Sequence, residues 1–227
     1  YDALIISVGL ANNTYNIPGV EENALFLKEI LDARHVRQRI IASFEKASSP
    51  NLPESEIKKL LSFVVVGGGP TGVEFAAELS DFLEEDIIKT FPLIAKHASI
   101  TIVEAGKSIL SYFDTKLSEY AVKHFERLNI NLKLNSPVRR VESDKIILDD
   151  ESELQFGVLV WAAGVGPTEF VKSLPFPKDK YGRIITNPNF LVKSQDSIFA
   201  IGDCSTIENF DLPTSAQVAM QGAKFLA

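Results

Sequence analysis

The stretch from Phe63 to Leu79, FVVVGGGPTGVEFAAEL, limits the fold more than any other part of the chain. Phe63, Val64, Val65 and Val66 read as a buried strand, three glycines break it, and Pro70 opens a helical pattern at once. A strand that passes through G-x-G-x-x-G into a helix presents backbone N–H groups and a positive dipole end to a pyrophosphate. Gly67 allows the tight turn, Gly69 lets the backbone approach the phosphates, and Gly72 lets the helix close on the strand. A glycine-rich turn of no function shares the bare motif, so the next strand matters. It reads ITIVE and ends on Glu104, 32 residues beyond Gly72. That exceeds the usual spacing of about 20. The excess goes to a long helix predicted over 70–90 and a loop over 91–98. Glu104 is expected to accept hydrogen bonds from the adenosine ribose and to repel a 2′-phosphate, which favours NADH over NADPH.

The rest of the chain supplies the frame for this motif. Residues 4–8 read as a buried strand, 23–47 show helical apolar spacing, and 48–53 (SSPNLP) read as a linker and domain boundary. Strands are predicted over 63–66 and 99–103, and a helix over 114–128 with Leu117, Tyr120, Ala121, His124, Phe125 and Leu128 on one face. Short alternating segments come next, at 130–134, 138–141, 145–148 and 157–161. This order of strands and helices, closing on a β-meander and a last strand, predicts an α/β, Rossmann-like mononucleotide fold around a parallel sheet.

Composition removes several alternatives. A formal charge of −7 and a pI near 5.1 argue against a nucleic-acid partner. Cys204 is the single cysteine, so a CxxC pair is excluded, and three scattered histidines give no metal-ligand spacing. No apolar run approaches the roughly 20 residues of a membrane span. A chain that opens inside an apolar strand is expected to be a fragment of a longer protein.

A second site is half written at the other end. Residues 197–203, SIFAIGD, form an apolar strand that delivers Gly202 and Asp203, and PTSAQ opens a helix about ten residues later. Alone this is a turn and a capped helix. Paired with the dinucleotide motif, Gly202 and Asp203 are expected near the ribityl and pyrophosphate of FAD, with the N–H groups of Ala216 and Gln217 at the flavin. Glu74, Glu78, Asp81 and Glu85 lie on one helical stripe that reads as a solvated face. Glu74, nearest the nucleotide, either stabilises the first turn by about 0.3–1 kcal/mol or handles a proton.

The stretches IPGVEENALFLKEILDARHVRQRI, FVVVGGGPTGVEFAAELSDFLEED, ITIVEAGKSIL, LVWAAG, IFAIGDCS and LPTSAQVAMQGAKFLA together resemble the alternative (type II) NADH dehydrogenases. These are flavoprotein NADH:quinone oxidoreductases of mitochondrial inner membranes. The resemblance implies an NADH-binding domain over 61–172, inserted in a partial FAD-binding Rossmann-like domain formed by 1–10 and 173–227, with 11–60 as a connecting segment. It implies FAD and NADH as cofactors, a quinone as acceptor, and electron transfer without proton pumping. Peripheral attachment to the inner membrane is implied through a region this chain lacks, and the first FAD glycine motif is lacking too. A homodimer is compatible with it. Glu74 falls near the nicotinamide and flavin, Ala163 and Gly164 give the nicotinamide room, and Gln217 and Gln221 fall beside the quinone. Met220 stands where some members have His, which leaves an imidazole role there without a residue. A soluble reductase of a protein electron carrier and a non-catalytic NADH sensor remain the alternatives.

Overall fold

The structure, a computed structural model, describes residues 2–227. Two compact units divide the chain, Asn13–Gly164 and the residues before Asn13 together with Val165–Ala227. In Asn13–Gly164 five parallel strands run side by side in the order Leu25–Phe26, Val158–Trp161, Ser62–Val66, Ser99–Val103 and Ile130–Lys133. The glycine-motif strand is central, with Val64 against Thr101 on one side and Leu159 on the other. Both faces of that strand are covered, which is why its sequence is continuously apolar rather than alternating. Phe63 and Val65 point into a core with Ile102 of the neighbouring strand and with Phe44, Ala76 and Phe125, supplied by the helices Ile30–Ala47, Pro70–Phe82 and Thr115–Arg127. Val64 and Val66 face the opposite way, into Val103, Ile146, Leu148 and Trp161. That second face is roofed by a three-stranded antiparallel sheet of Val138–Val141, Lys145–Leu148 and Glu153–Gln155.

The α/β class and the parallel sheet agree with the sequence reading, and several element assignments do not. Leu25 and Phe26, expected inside a helix, form an edge strand beside Val160 and Trp161. The open backbone edge of a parallel sheet overrides their helical spacing. Residues 130–133 join the parallel sheet rather than the meander, whose third strand is Glu153–Gln155. The long helix over 70–90 is α-helical only through Phe82 and at Ile88–Thr90. Between them Leu83–Ile87 forms a π-turn that inserts an extra residue and rotates the helix beyond it. Helix Thr115–Arg127 buries Phe125 and rests Ala121 and Val122 on the core, while Leu117, Tyr120 and His124 lie in solvent. Residues 48–53 connect two helices within the unit Asn13–Gly164, because Val36, Ile40, Phe44 and Ala47 bury in the same core as the sheet.

The other unit has its own small core of Ile6, Val171, Ile184, Val192, Ala200 and Cys204. Leu4–Ile6 pairs in parallel with Ile198–Ala200, and Ile184–Thr186 with Ser205–Ile207. Of residues 4–8, expected as a buried strand, only Ile6 is buried. Among the described residues this strand has a single partner, Ile198–Ala200.

Candidate functional site

The glycine turn is built from close approaches that a side chain would prevent. Gly67 adopts φ +115°, and a Cβ there would lie 2.6 Å from the Ala162 carbonyl oxygen. A Cβ on Gly72 would fall 1.9 Å from the Gly67 carbonyl oxygen, so the helix Pro70–Phe82 can seat on the strand only with glycine at that position. Gly69 is different, since nothing lies within 4 Å of its Cβ direction. Its face is open, and it stands as N-cap of a helix that no side chain caps. Pro70, with no N–H, opens that helix. The unclaimed donors of the first turn and the open face over Gly69 suit a bound anion.

Glu104, half-buried at the end of its strand, is fixed by two short backbone bonds. Gly68 N–H donates to Oε2 and Gly106 N–H to Oε1, each at 2.6 Å. Gly68 carries a role the sequence reading did not assign, because a Cβ on it would meet the Glu104 carboxylate at 3.0 Å and Ile109 at 2.9 Å. The Gly68 carbonyl in turn accepts from Leu110 N–H at 2.7 Å, which folds the segment after Glu104 back over the turn. Three consecutive glycines, one more than the tight turn and the phosphate approach require, were the only sequence hint of this. The strand on the other side of the glycine strand ends at Trp161, and Ala162, Ala163 and Gly164 come directly after it, with Gly164 at φ +92°. Glu104, the glycine turn and Ala163–Gly164 therefore lie together at the carboxyl ends of three adjacent strands.

Glu74 is exposed and makes no ion pair or side-chain hydrogen bond among the described residues, as do Glu78 and Asp81 of the same stripe.

In the second unit, Gly202 has φ +72° in a short 3-10 turn, Gly202–Cys204, and Asp203 is half-buried. A Cβ on Gly202 would touch that of Ala219 at 3.4 Å, so the helix Ala216–Leu226 packs directly on the Gly-Asp turn. Ser215 caps this helix by accepting from Val218 N–H. Ala216, Gln217, Met220 and Gln221 are exposed, the glutamines one turn apart. Cys204 is buried, and its single S–H has two carbonyl acceptors in reach, Ile201 at 3.3 Å and Ile6 at 3.6 Å. Burial pushes the thiol up from its ordinary value, against backbone bonds that lower it. In the native protein Cys204 is expected to react with Ellman's reagent at least a hundredfold more slowly than in urea, because the thiolate is the reactive form. Rapid native labelling would show that this core opens.

A glycine turn between strand and helix, with an acid at the end of the neighbouring strand, defines a Rossmann-type dinucleotide-binding protein. The chain belongs to the pyridine nucleotide-disulphide oxidoreductase family, which matches residues 1–223, and it is thus an oxidoreductase by family. This chain contains one cysteine, Cys204. Over 228 residues it is 46% identical to a probable NADH dehydrogenase of Dictyostelium discoideum, covering 100% of this chain and 51% of that protein. Over 231 residues it is 42% identical to the internal alternative NAD(P)H-ubiquinone oxidoreductase A1, mitochondrial, of Arabidopsis thaliana, covering 100% and 45%. The structure of NDH2 from Plasmodium falciparum in complex with NADH superposes with a TM-score of 0.87 at 34% identity, covering 91% of this chain and 44% of that one. The resemblance to the alternative NADH dehydrogenases read from the sequence thus holds, and the name of the Arabidopsis relative describes that protein as mitochondrial. The chain spans about half the length of the curated relatives it matches.

Proposed function

We propose that this chain is the nucleotide-binding portion of a flavoenzyme that passes a hydride from NADH to FAD and then two electrons to a quinone, without pumping protons. The proposed setting is the periphery of the mitochondrial inner membrane. The observation that carries the reading is the Glu104 carboxylate, held against the glycine turn by Gly68 and Gly106. It occurs in a chain 42–46% identical to proteins named NADH dehydrogenase and NAD(P)H-ubiquinone oxidoreductase.

The open face of Gly69 and the first turn of the helix Pro70–Phe82 take the pyrophosphate. Each Glu104 oxygen has a lone pair left beyond its backbone bond, enough to accept from the two ribose hydroxyls. Ala163 and Gly164 offer small residues to the nicotinamide side, and Glu74 supplies a solvated carboxylate at the first turn. In the other unit, Gly202 and Asp203 hold the ribityl and pyrophosphate region of FAD, and the N–H groups of Ala216 and Gln217 face the flavin edge that becomes negative. Gln217 and Gln221 act on the quinone side. When bound, FAD supplies the two-electron chemistry that no side chain here has.

The test uses the full-length protein with NADH and a short-chain quinone. Stopped-flow reduction of the flavin by NADH is expected to stay near normal in Gln217→Ala, while reoxidation by quinone slows about tenfold, the loss of one oriented contact. Equal damage to both halves would move Gln217 to general support of the flavin. A flavin that NADH does not bleach would remove the enzyme reading.

A further inference from the structure

Tyr15 stands out among residues to which the sequence reading gave no role. It is a bulky residue with φ +52°, preceding Asn16 with φ +55°, and the Ile17 N–H to Thr14 carbonyl bond of 3.0 Å closes this two-residue turn. Such turns normally call for Gly or Asn at both central positions, so a tyrosine there is held by its surroundings. Three hydrogen bonds of Asn13 anchor the start of the turn. Asn13 N–H donates to the Gly164 carbonyl at 3.2 Å, the indole N–H of Trp161 donates to the Asn13 carbonyl at 2.9 Å, and Tyr15 N–H donates to Asn13 Oδ1 at 2.9 Å. The turn is therefore tied to the end of the strand Val158–Trp161, inside the unit Asn13–Gly164.

The phenol reaches the site itself. Its hydroxyl oxygen lies 2.4 Å from where a Cβ of Gly164 would be, filling the space that the glycine leaves. In the same short segment, the Ala162 carbonyl and the Ala163 N lie within 2.8 Å of the Cβ position of Gly67. The Tyr15 hydroxyl and the glycine turn thus both abut the segment Ala162–Gly164. Burial first, then the Tyr112 phenol and the Glu104 carboxylate, push this phenol up from its ordinary value, so the O–H remains a donor. Tyr15 as a residue is 57% exposed, which leaves its side chain open to a ligand.

Strand order decides which half of a dinucleotide it meets. Glu104 ends the strand on one side of the glycine strand, and Gly164 lies just past the strand on the other. A dinucleotide with its pyrophosphate on the glycine turn puts its adenosine toward Glu104 and its nicotinamide nucleoside toward Gly164. We propose that Tyr15 is a further binding residue of the NADH site, its hydroxyl donating a hydrogen bond to the nicotinamide nucleoside half of the bound dinucleotide. This rests on the dinucleotide reading above and assigns it a contact on the side opposite Glu104.

The test is calorimetric titration of this chain with NADH and with ADP, which shares only the adenosine and the pyrophosphate. Tyr15→Phe keeps the ring and the backbone and removes one oxygen. It is expected to weaken NADH about three- to tenfold, one neutral hydrogen bond, and to leave ADP within twofold. Thermal melts of both proteins should coincide. NADH binding unchanged in Tyr15→Phe overturns the proposal and leaves the dinucleotide site standing. Equal weakening of NADH and ADP overturns it in favour of a structural brace. A parent chain that binds ADP no more weakly than NADH also overturns it, because no nicotinamide-side contact is then made. A parent chain that binds neither removes the dinucleotide reading together with the proposal.

Discussion

Gly72→Ala is expected to abolish dinucleotide binding and to destabilise the unit Asn13–Gly164, by about 3 kcal/mol on the scale of core overpacking. The new methyl would sit 1.9 Å from the Gly67 carbonyl oxygen and 3.5 Å from the Ala162 side chain. The first atom is backbone within the tight turn, so no rotamer change relieves it. Either the helix start lifts from the strand or the turn opens, and both misplace the N–H groups meant for the pyrophosphate. Gly69→Ala is the matched control. Its φ of −75° suits any L-residue, and nothing lies within 4 Å of the added carbon. Its melting temperature is expected to stay near that of the parent, while NADH binding falls more than tenfold because the methyl occupies the anion's space. A Gly72→Ala protein that melts normally and binds NADH normally would show that the turn is loose, and that its glycines do not shape the site.

Glu104→Gln is expected to change the choice of electron donor in the full-length protein. A 2′-phosphate oxygen about 4 Å from a carboxylate meets repulsion of roughly 4 kcal/mol at an effective dielectric near 20, before solvent and salt reduce it. Since each 1.4 kcal/mol is tenfold, NADH is expected to lead NADPH in kcat/KM by roughly ten- to a thousandfold in the parent. The substitution should cut that ratio at least tenfold. The structure adds a second effect. Both carboxylate oxygens accept a backbone N–H at 2.6 Å, and a glutamine offers one oxygen and one NH2. One of Gly68 and Gly106 then faces a donor, at a local cost of about 1–3 kcal/mol. NADH use should therefore also weaken, and the melting temperature fall. A lowered melting temperature with an unchanged NADH:NADPH ratio would make Glu104 a brace of the turn alone, away from the ribose.

Much of this architecture is written locally. The strand Ser62–Val66, the turn and the helix from Pro70 depend on residues within a few positions of each other, through burial on two faces, glycine conformations and a proline at the first helical position. The hairpin strands Val138–Val141 and Lys145–Leu148 also fall within the bounds expected of them, though their burial does not alternate. The strand ending at Glu104 was legible because an apolar run closing on a carboxylate has few other meanings so near a glycine turn.

Sequence pattern alone was sufficient for the α/β class, the glycine turn and its acid, because short-range sterics and hydrophobic period encode them. Tertiary structure alone decided that Leu25–Phe26 would leave a helical pattern for the sheet edge, and that Ile130–Lys133 would extend the sheet. It alone brought Gly68 to Glu104 and Tyr15 to Gly164, across 36 and about 150 residues of chain. Each of these turns on an unpaired backbone group or a vacant volume offered by a distant segment. No local period records such an offer, since it exists only once the strands beside it are in place.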